Sequence, residues 1–201
     1  MAYSSELTAQ SLRRWERYLD NFRLPKWEDI PNFGLYMEQV IDLLRQYLDY
    51  LPPELKEEQL ITAAAINNYV RTKVMPMPIR KRYYREHIAY LIIILTLKQG
   101  LSIALIHQLI PLGLSTEEVE RIYTLYANRH AIAADYFKEQ VKTVAAPILY
   151  CEADAESSAS ETAALIAMSA VISGFARLLA ERLLMLDATA QETAAEPAAM
   201  T

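Results

Sequence analysis

The residues that could do chemistry in this chain lie in a basic stretch that contains no carboxylate. Between Glu58 and Glu86, 27 residues carry six cationic side chains and no Asp or Glu. The six are Arg71, Lys73, Arg80, Lys81, Arg82 and Arg85. Because the whole chain has a formal net charge of -5, the rest of it carries -11. Segregated cations of this kind favour a polyanionic partner, since each cation that lies against a phosphate backbone releases a condensed counterion.

Three polar side chains of this stretch carry groups that match the edges of DNA bases. Asparagine can bond bidentately to adenine N6 and N7, and arginine to guanine O6 and N7, each worth about 1 to 3 kcal/mol of discrimination. The base-reading candidates are Asn67, Asn68 and Arg71. The other cations would contact phosphates and set the register of the protein on double-stranded DNA. These phosphate candidates are Lys73, Arg80, Lys81, Arg82 and Arg85.

A purely structural role is the alternative for the same residues. Asn67 or Asn68 could bond to local backbone or pack against Tyr83, and the arginines could form a solvated face. Three tyrosines interleave with the basic residues, and we expect at least Tyr69 and Tyr83 to be core residues whose hydroxyls reach toward the surface.

No arrangement typical of catalysis or metal binding is visible in the sequence. The three histidines, His87, His107 and His130, are widely separated, and no Cys/His spacing matches a metal site. A glycine-rich phosphate loop and a nucleophile elbow are also missing. We therefore expect no enzyme activity, no metal and no cofactor.

The composition predicts a cytoplasmic protein that stays out of the membrane. A single cysteine, Cys151, cannot form an intrachain disulfide, and charged residues occupy the N-terminal region where a secretory signal would be apolar. Two charge-free runs, Ile88 to Leu97 and Thr162 to Ala176, fall short of the roughly 18 to 20 residues that span a bilayer. We expect both runs to be buried helices.

The pattern around the basic stretch predicts how its side chains are positioned. With only 4 glycines and many apolar stripes of helical period, the chain is expected to be all-α. Thr62 is a predicted N-cap for a helix over Ala63 to Lys73, which places the base-reading candidates opposite the face of Ile66 and Val70. Ile79 to Tyr83, after two prolines, is predicted to form a small ribbon or wing.

The predicted elements divide the chain into four regions. Residues 1–26 form an N-terminal helix, 27–113 the basic domain, 114–187 a long helical region, and 188–201 a disordered tail. Within them, further helices are expected from Arg85 to Gln99, after Ser102, from the capping box at Ser115 to Glu118 as far as Pro147, and from a second box at Ser158 to Glu161 as far as Leu186.

The last helix has features that suit a partner helix. It combines an apolar stripe with small residues that allow close approach, namely Ala163, Ala167, Ala170, Ser173 and Gly174. A homodimer interface and an intramolecular helix pair are both compatible with this pattern. A pocket between the two long C-terminal helices for an unidentified small-molecule effector is a further expectation.

The order of elements from Leu60 to Leu112 resembles the winged helix-turn-helix of the mercury-resistance-regulator (MerR) class. The resemblance rests on Ile66 to Tyr69, Val74 to Pro76, Arg82 to Tyr84, and Leu91 through Ser102 to Ile106. It implies that the helix from Ala63 would enter the major groove and that Ile79 to Tyr83 would be the wing on the phosphates. The chain has Asn67-Asn68 in place of the class's arginine-tyrosine pair, and its wing lacks a Gly/Asn-rich tip.

The region from Ile30 to Ile110 also resembles a bacterial family, domain of unknown function 1836. The motifs are Leu35 to Val40, Ile66 to Val70, Pro76 to Lys81, Arg85 to Ile88, and Leu97 to Gln99. This resemblance implies a MerR-like fold without a defined activity. The residues themselves therefore carry the functional prediction, a homodimeric DNA-binding regulator, and the alternative is a protein interaction module that binds no DNA.

Overall fold

The computed structural model describes residues 5–48, 61–150 and 155–195, and this part of the chain is mainly helical. Its helices are α1 (Ser5–Asn21), α2 (Met37–Tyr47), α3 (Ala63–Arg71), α4 (Arg85–Leu97), α5 (Ile103–Leu109), α6 (Thr116–Tyr150) and α7 (Ala155–Ala195). A single 3-10 turn covers Trp27–Asp29, and no strand is formed within these ranges. The all-α prediction is confirmed. Cys151 lies outside the described residues.

Helix α4 is the centre of the core. All residues from His87 to Leu95 are buried, so the helix is surrounded on every side and has no polar face. It packs against α2 and α6. The prediction that the run from Ile88 forms a buried helix is confirmed, and the helix ends at Leu97, two residues earlier than expected.

The predicted N-terminal caps of three helices are present. Thr62 Oγ1 accepts a hydrogen bond from the Ala65 amide at 3.1 Å, and Ser102 Oγ accepts from the Leu105 amide at 3.4 Å. At the start of α6, the Ser115 amide donates to Glu118 at 2.8 Å while the Glu118 amide donates to Ser115 Oγ at 3.3 Å. This reciprocal pair satisfies two amides that have no partner within the helix.

Helix α6 is longer than the sequence predicts. Its expected end was Pro147, but the helix continues to Tyr150. Ala145 and Ile148, on either side of the proline, are 0% and 6% exposed. Burial of these two residues offsets the loss of the backbone hydrogen bond that proline cannot donate.

Helix α1 packs along α6 and is tied to it by aromatic and charged contacts. Trp15 and Phe137 meet edge to face with 5.5 Å between ring centroids. Three ion pairs cross the same seam, Arg23 with Asp135 at 2.9 Å, Lys138 with Asp20 at 2.6 Å, and Lys142 with Glu16 at 2.9 Å. The predicted N-terminal helix is therefore part of the long-helix layer.

Helix α7 differs most from its prediction. It begins at Ala155, so the predicted box at Ser158 lies inside the helix, and it continues to Ala195 where a disordered tail was expected from Ala188. An alanine-rich sequence has high helix propensity, which accounts for the continuation. The run from Thr162 to Ala176 was expected to be buried, but most of it is exposed. Its apolar residues surround the helix axis, whereas α1, α5 and α6 contact only part of its circumference.

The same helix is the one described helix that is long and apolar enough to cross a membrane. Ser160–Leu186 has a mean hydropathy of 1.9 in its most apolar window, and none of that window is buried in the fold. The helix meets this criterion by length and composition alone.

Candidate nucleic-acid interface

Helix α3 presents its polar side chains on the face that points away from the core. Ile66 and Tyr69 are 0% and 1% exposed, whereas Asn67 and Arg71 are exposed and Asn68 is half-buried. The expected core position of Tyr69 is confirmed, but its hydroxyl is buried without a hydrogen-bond partner and does not reach the surface as expected. The i, i+3 and i, i+4 spacing of an α-helix produces this division once the Thr62 cap fixes where the helix begins.

Two of the base-reading candidates bind each other. Arg71 Nη2 donates a 2.7 Å hydrogen bond to Asn68 Oδ1, and Thr72 Oγ1 donates to the Asn68 carbonyl oxygen at 2.7 Å. The first bond uses the Asn68 oxygen that a bidentate contact with adenine would need. No described hydrogen bond occupies the side chain of Asn67, so its amide is the one available for a ligand.

Helix α3 ends two residues earlier than predicted, in a Schellman motif centred on Lys73. The Lys73 amide donates to the Val70 carbonyl at 3.1 Å, and the Val74 amide donates to the Tyr69 carbonyl at 2.9 Å. This motif requires a left-handed residue, which is usually glycine, and Lys73 has φ = +56°. The strained backbone directs a basic side chain into solvent at the end of the helix.

The predicted wing is a two-residue hairpin turn. Ile79 and Arg82 exchange both backbone hydrogen bonds, each 3.0 Å long, and Arg80 and Lys81 lie between them. Positive φ at both central residues, +50° and +64°, defines a type I′ turn, whose usual residues are Asn and Gly. In this chain the tip of the turn consists of two exposed cations.

Backbone strain in the described residues coincides with the basic stretch. The non-glycine residues with positive φ are Lys73, Arg80 and Lys81, and all three are phosphate candidates. Each such conformation costs on the order of 1 to 3 kcal/mol, and strained residues of this kind cluster at functional sites.

Arg82 is held against the segment before α2. Its guanidinium lies 4.5 Å from the centre of the Tyr36 ring, and its Nη2 donates to Tyr36 Oη at 2.8 Å. A Cβ on Gly34 would lie 2.9 Å from both Cβ and Cδ of Arg82, so glycine is needed where the two segments meet. Tyr36 precedes α2 and is 53% exposed. Its contribution to this site has no signal in the sequence.

The side chain of Arg85 contacts other residues of the fold. Its Nε donates to the Ile30 carbonyl oxygen at 2.7 Å, and its guanidinium lies 5.5 Å from the centre of the Trp27 ring. Among the five phosphate candidates, Arg85 is the one that is half-buried, while Lys73, Arg80, Lys81 and Arg82 are exposed.

Two contacts join the wing to the core. Leu35 and Tyr83 exchange backbone hydrogen bonds of 2.9 Å, and the Tyr83 side chain is 3% exposed, which confirms its expected core position. His87 is buried beneath the turn, where its Nδ1 accepts from the Tyr84 amide at 3.1 Å and its Nε2 lies 3.0 Å from the Met77 carbonyl oxygen. Both bonds are satisfied by a neutral imidazole that carries its proton on Nε2.

The cations of the basic stretch have no carboxylate partner within the described residues. No ion pair there involves Arg71, Lys73, Arg80, Lys81, Arg82 or Arg85. Side chains of α3 and of the turn make no hydrogen bond with each other in residues 61–85; they are linked through a shared core that includes Tyr69, Val74 and Tyr83. The structure therefore has two separate basic elements on one supporting core.

A cleft of about 350 Å³ lies between residues 23–28 and α6. Trp27 and Tyr123 line it, and Tyr123 Oη donates to the Pro25 carbonyl oxygen at 2.7 Å. Its lining includes no residue of α7, so it is not the pocket that was expected between the two long helices.

In the described ranges, no cluster of three or more His, Cys, Asp or Glu side chains could hold a metal ion.

Comparison with known proteins defines the family. The sequence model of the family described as Domain of unknown function (DUF1836) matches residues 25–128, which is slightly more than half of the chain. No curated protein and no solved structure matches. The matched region contains α2 to α5, the turn at residues 79–82 and the first part of α6. The chain therefore belongs to the DUF1836 family.

Proposed function

We propose that this protein is a cytoplasmic DNA-binding transcriptional regulator, in which α3 enters the major groove and the turn at residues 79–82 contacts phosphates. In this proposal α3, the turn, α4 and α5 form a MerR-like winged helix-turn-helix. The two long helices that follow join two copies of the chain, so that two such domains bind two half-sites.

The observation that carries the proposal is the type I′ turn with Arg80 and Lys81 at its tip. Asn and Gly would form this turn with less strain, so Arg80 and Lys81 occupy it at a cost in stability. A negatively charged ligand would account for cations at two positions where Asn and Gly would give a less strained backbone. Phosphates of a duplex fit, because the same stretch also carries Lys73 and lacks any carboxylate.

The contacts within the site refine the roles of the candidate residues. Asn67 is the strongest candidate for reading a base, since Asn68 already accepts a bond from Arg71. That bond also orients the Arg71 guanidinium, which keeps further donors for a guanine or a phosphate. Arg82 and Arg85 are assigned mainly to holding the turn and the start of α4, because both contact aromatic rings and backbone carbonyls.

A salt titration of duplex binding tests the proposal. Fluorescence anisotropy of a labelled duplex is expected to show binding at low salt that weakens steeply as salt rises, with a slope set by the number of phosphates neutralised. Absence of binding at low salt would reject the proposal and favour the interaction module.

A matched pair of variants locates the contact surface. Arg80→Asn with Lys81→Gly removes two cations and keeps the turn geometry, so the salt slope should fall by about 2. The control, Arg121→Gln with Arg129→Gln, removes two exposed cations of α6 and should leave the slope nearly unchanged. Equal effects of both pairs would mean that binding does not use the turn.

A further inference from the structure

The outward face of α7 carries an apolar stripe that the rest of the chain does not cover. Six of the ten exposed large apolar side chains of α7 recur at intervals of three, four and seven residues, which places these six on one side of the helix. They are Val171, Ile172, Phe175, Leu178, Leu179 and Leu186, and each is between 44% and 67% exposed. A contiguous exposed stripe of this kind marks an interaction surface.

The opposite edge of α7 faces the fold. Thr162 is 5% exposed and its Oγ1 lies 3.5 Å from Thr8 Oγ1 of α1. Further along, Ala180, Glu181 and Leu184 are half-buried. Because these residues fix one side of the helix to the domain, the stripe is held in a defined position on the other side.

We propose that this stripe binds the same stripe of a second copy of the chain. The proposal deepens the dimer of the proposed function, and it does not depend on DNA binding. At about 100 Å² for each buried aliphatic or aromatic side chain, the six residues would remove roughly 600 Å² per protomer and 1,200 Å² per pair from water. That area lies at the lower end of specific interfaces, which bury about 1,200 to 2,000 Å².

The same residues fit a helix better than a lipid bilayer. The apolar spacing is that of a helix-helix seam. Gly174 lies beside the stripe and has no neighbour within 4 Å of where a Cβ would be, so a second backbone can approach closely. Arg177, Glu181 and Arg182 interrupt the apolar segment, and each charge would be costly in the hydrocarbon region. A spanning helix would also have to leave its contacts with α1, α5 and α6.

The dimer is tested by solution mass and by matched substitutions. In sedimentation equilibrium at micromolar concentration, the full chain is expected to have twice the chain mass, and Leu178→Glu should raise the dimer dissociation constant at least 100-fold. Leu125→Glu on α6 is the control, since Leu125 is 58% exposed and Leu178 is 61% exposed. It should leave the dissociation constant within 3-fold of the wild-type value.

A gain-of-affinity variant guards against an effect of misfolding. Arg182 is exposed within the stripe, so Arg182→Leu extends the apolar surface and should lower the dissociation constant several-fold. A wild-type monomer, loss of the dimer in Leu125→Glu as well, or no change in Arg182→Leu would overturn the proposal. Flotation of the wild-type chain with phosphatidylglycerol vesicles would also overturn it, because the stripe would then be a lipid-binding surface. These measurements are made without DNA, so their outcome does not depend on whether the protein binds a duplex.

Discussion

Ile79 and Arg82 exchange two backbone hydrogen bonds of 3.0 Å around a turn in which both central residues, Arg80 and Lys81, have left-handed backbone conformations. Such a turn reverses the chain within four residues. Its tip exposes two positive charges, and Lys73, which closes the last turn of α3, has the same left-handed conformation. Strain and charge therefore occur at the same three residues, and this coincidence links the fold to the proposed function.

The turn predicts opposite effects on stability and on binding. Replacing Arg80 with Asn and Lys81 with Gly relieves strain, so the free energy of unfolding should rise by about 1 kcal/mol. Duplex affinity should fall because two phosphate contacts are lost. Thermal unfolding and anisotropy on the same preparation check both. A less stable variant would contradict the strain at the turn, and a variant that binds as tightly as wild type would show that the cations have no binding role.

Asn67 and Asn68 should differ in their effect on sequence preference. Selection of bound duplexes from a random pool gives the preferred sites of each variant. Asn67→Ala is expected to lose about 1 to 3 kcal/mol of discrimination at one position. Asn68→Ala releases Arg71, so its effect should appear at the position that Arg71 contacts. If both variants select the same sites as wild type, α3 does not read bases through its asparagines.

Because Gly34 lies against Arg82, we expect replacement by alanine to cost more stability at Gly34 than at Gly100. Gly34→Ala places a Cβ 2.9 Å from Arg82 Cβ and 3.0 Å from the Tyr84 ring, and such overpacking costs about 1 to 3 kcal/mol. Gly100→Ala is the control, because a Cβ there has no neighbour within 4 Å. Chemical denaturation should show a clear loss of stability for the first variant and little change for the second. Equal stabilities would mean that the segments move apart freely.

His130 predicts how stability depends on pH. Its ring packs between Phe22 and Tyr126, its Nδ1 is buried without a hydrogen-bond partner, and burial followed by the charge of Arg23 lowers its pKa below the ordinary 6.5. The unfolded chain therefore binds a proton that the native chain does not. The free energy of unfolding should fall as pH drops below about 6.5.

A variant isolates the part of this pH dependence that comes from His130. His130→Phe keeps an aromatic ring between Phe22 and Tyr126 but cannot titrate. Urea unfolding of both proteins at a series of pH values should show a shallower loss of stability for the variant on the acid side. Parallel curves would mean that His130 is protonated in the native state.

Much of the fold could be predicted because it depends on local signals. Caps at Thr62, Ser102 and Ser115 are read from side chains that bond to nearby amides, and the burial of α4 follows from an uninterrupted apolar run. The exposure of α7 could not be predicted. Its apolar residues surround the helix, so whether it is buried depends on which elements pack around it.

The candidate site was predictable in its residues and not in its geometry. Charge segregation identified the cations, but no glycine or asparagine marks the left-handed positions at Lys73, Arg80 and Lys81. The contacts of Arg85 with Ile30 and of Arg82 with Tyr36 join residues about 50 positions apart, and such pairs leave no local pattern. Long-range packing therefore decides which cations remain available for a ligand.

Hydrogen exchange of the full chain with and without a saturating duplex at low salt tests the central claim most directly. The account predicts slower exchange in peptides that cover residues 63–73 and 79–85, and unchanged exchange in the exposed part of α6. Slower exchange confined to α6 or α7, or no change anywhere at saturation, would contradict the claim that α3 and the basic turn form the DNA-binding surface.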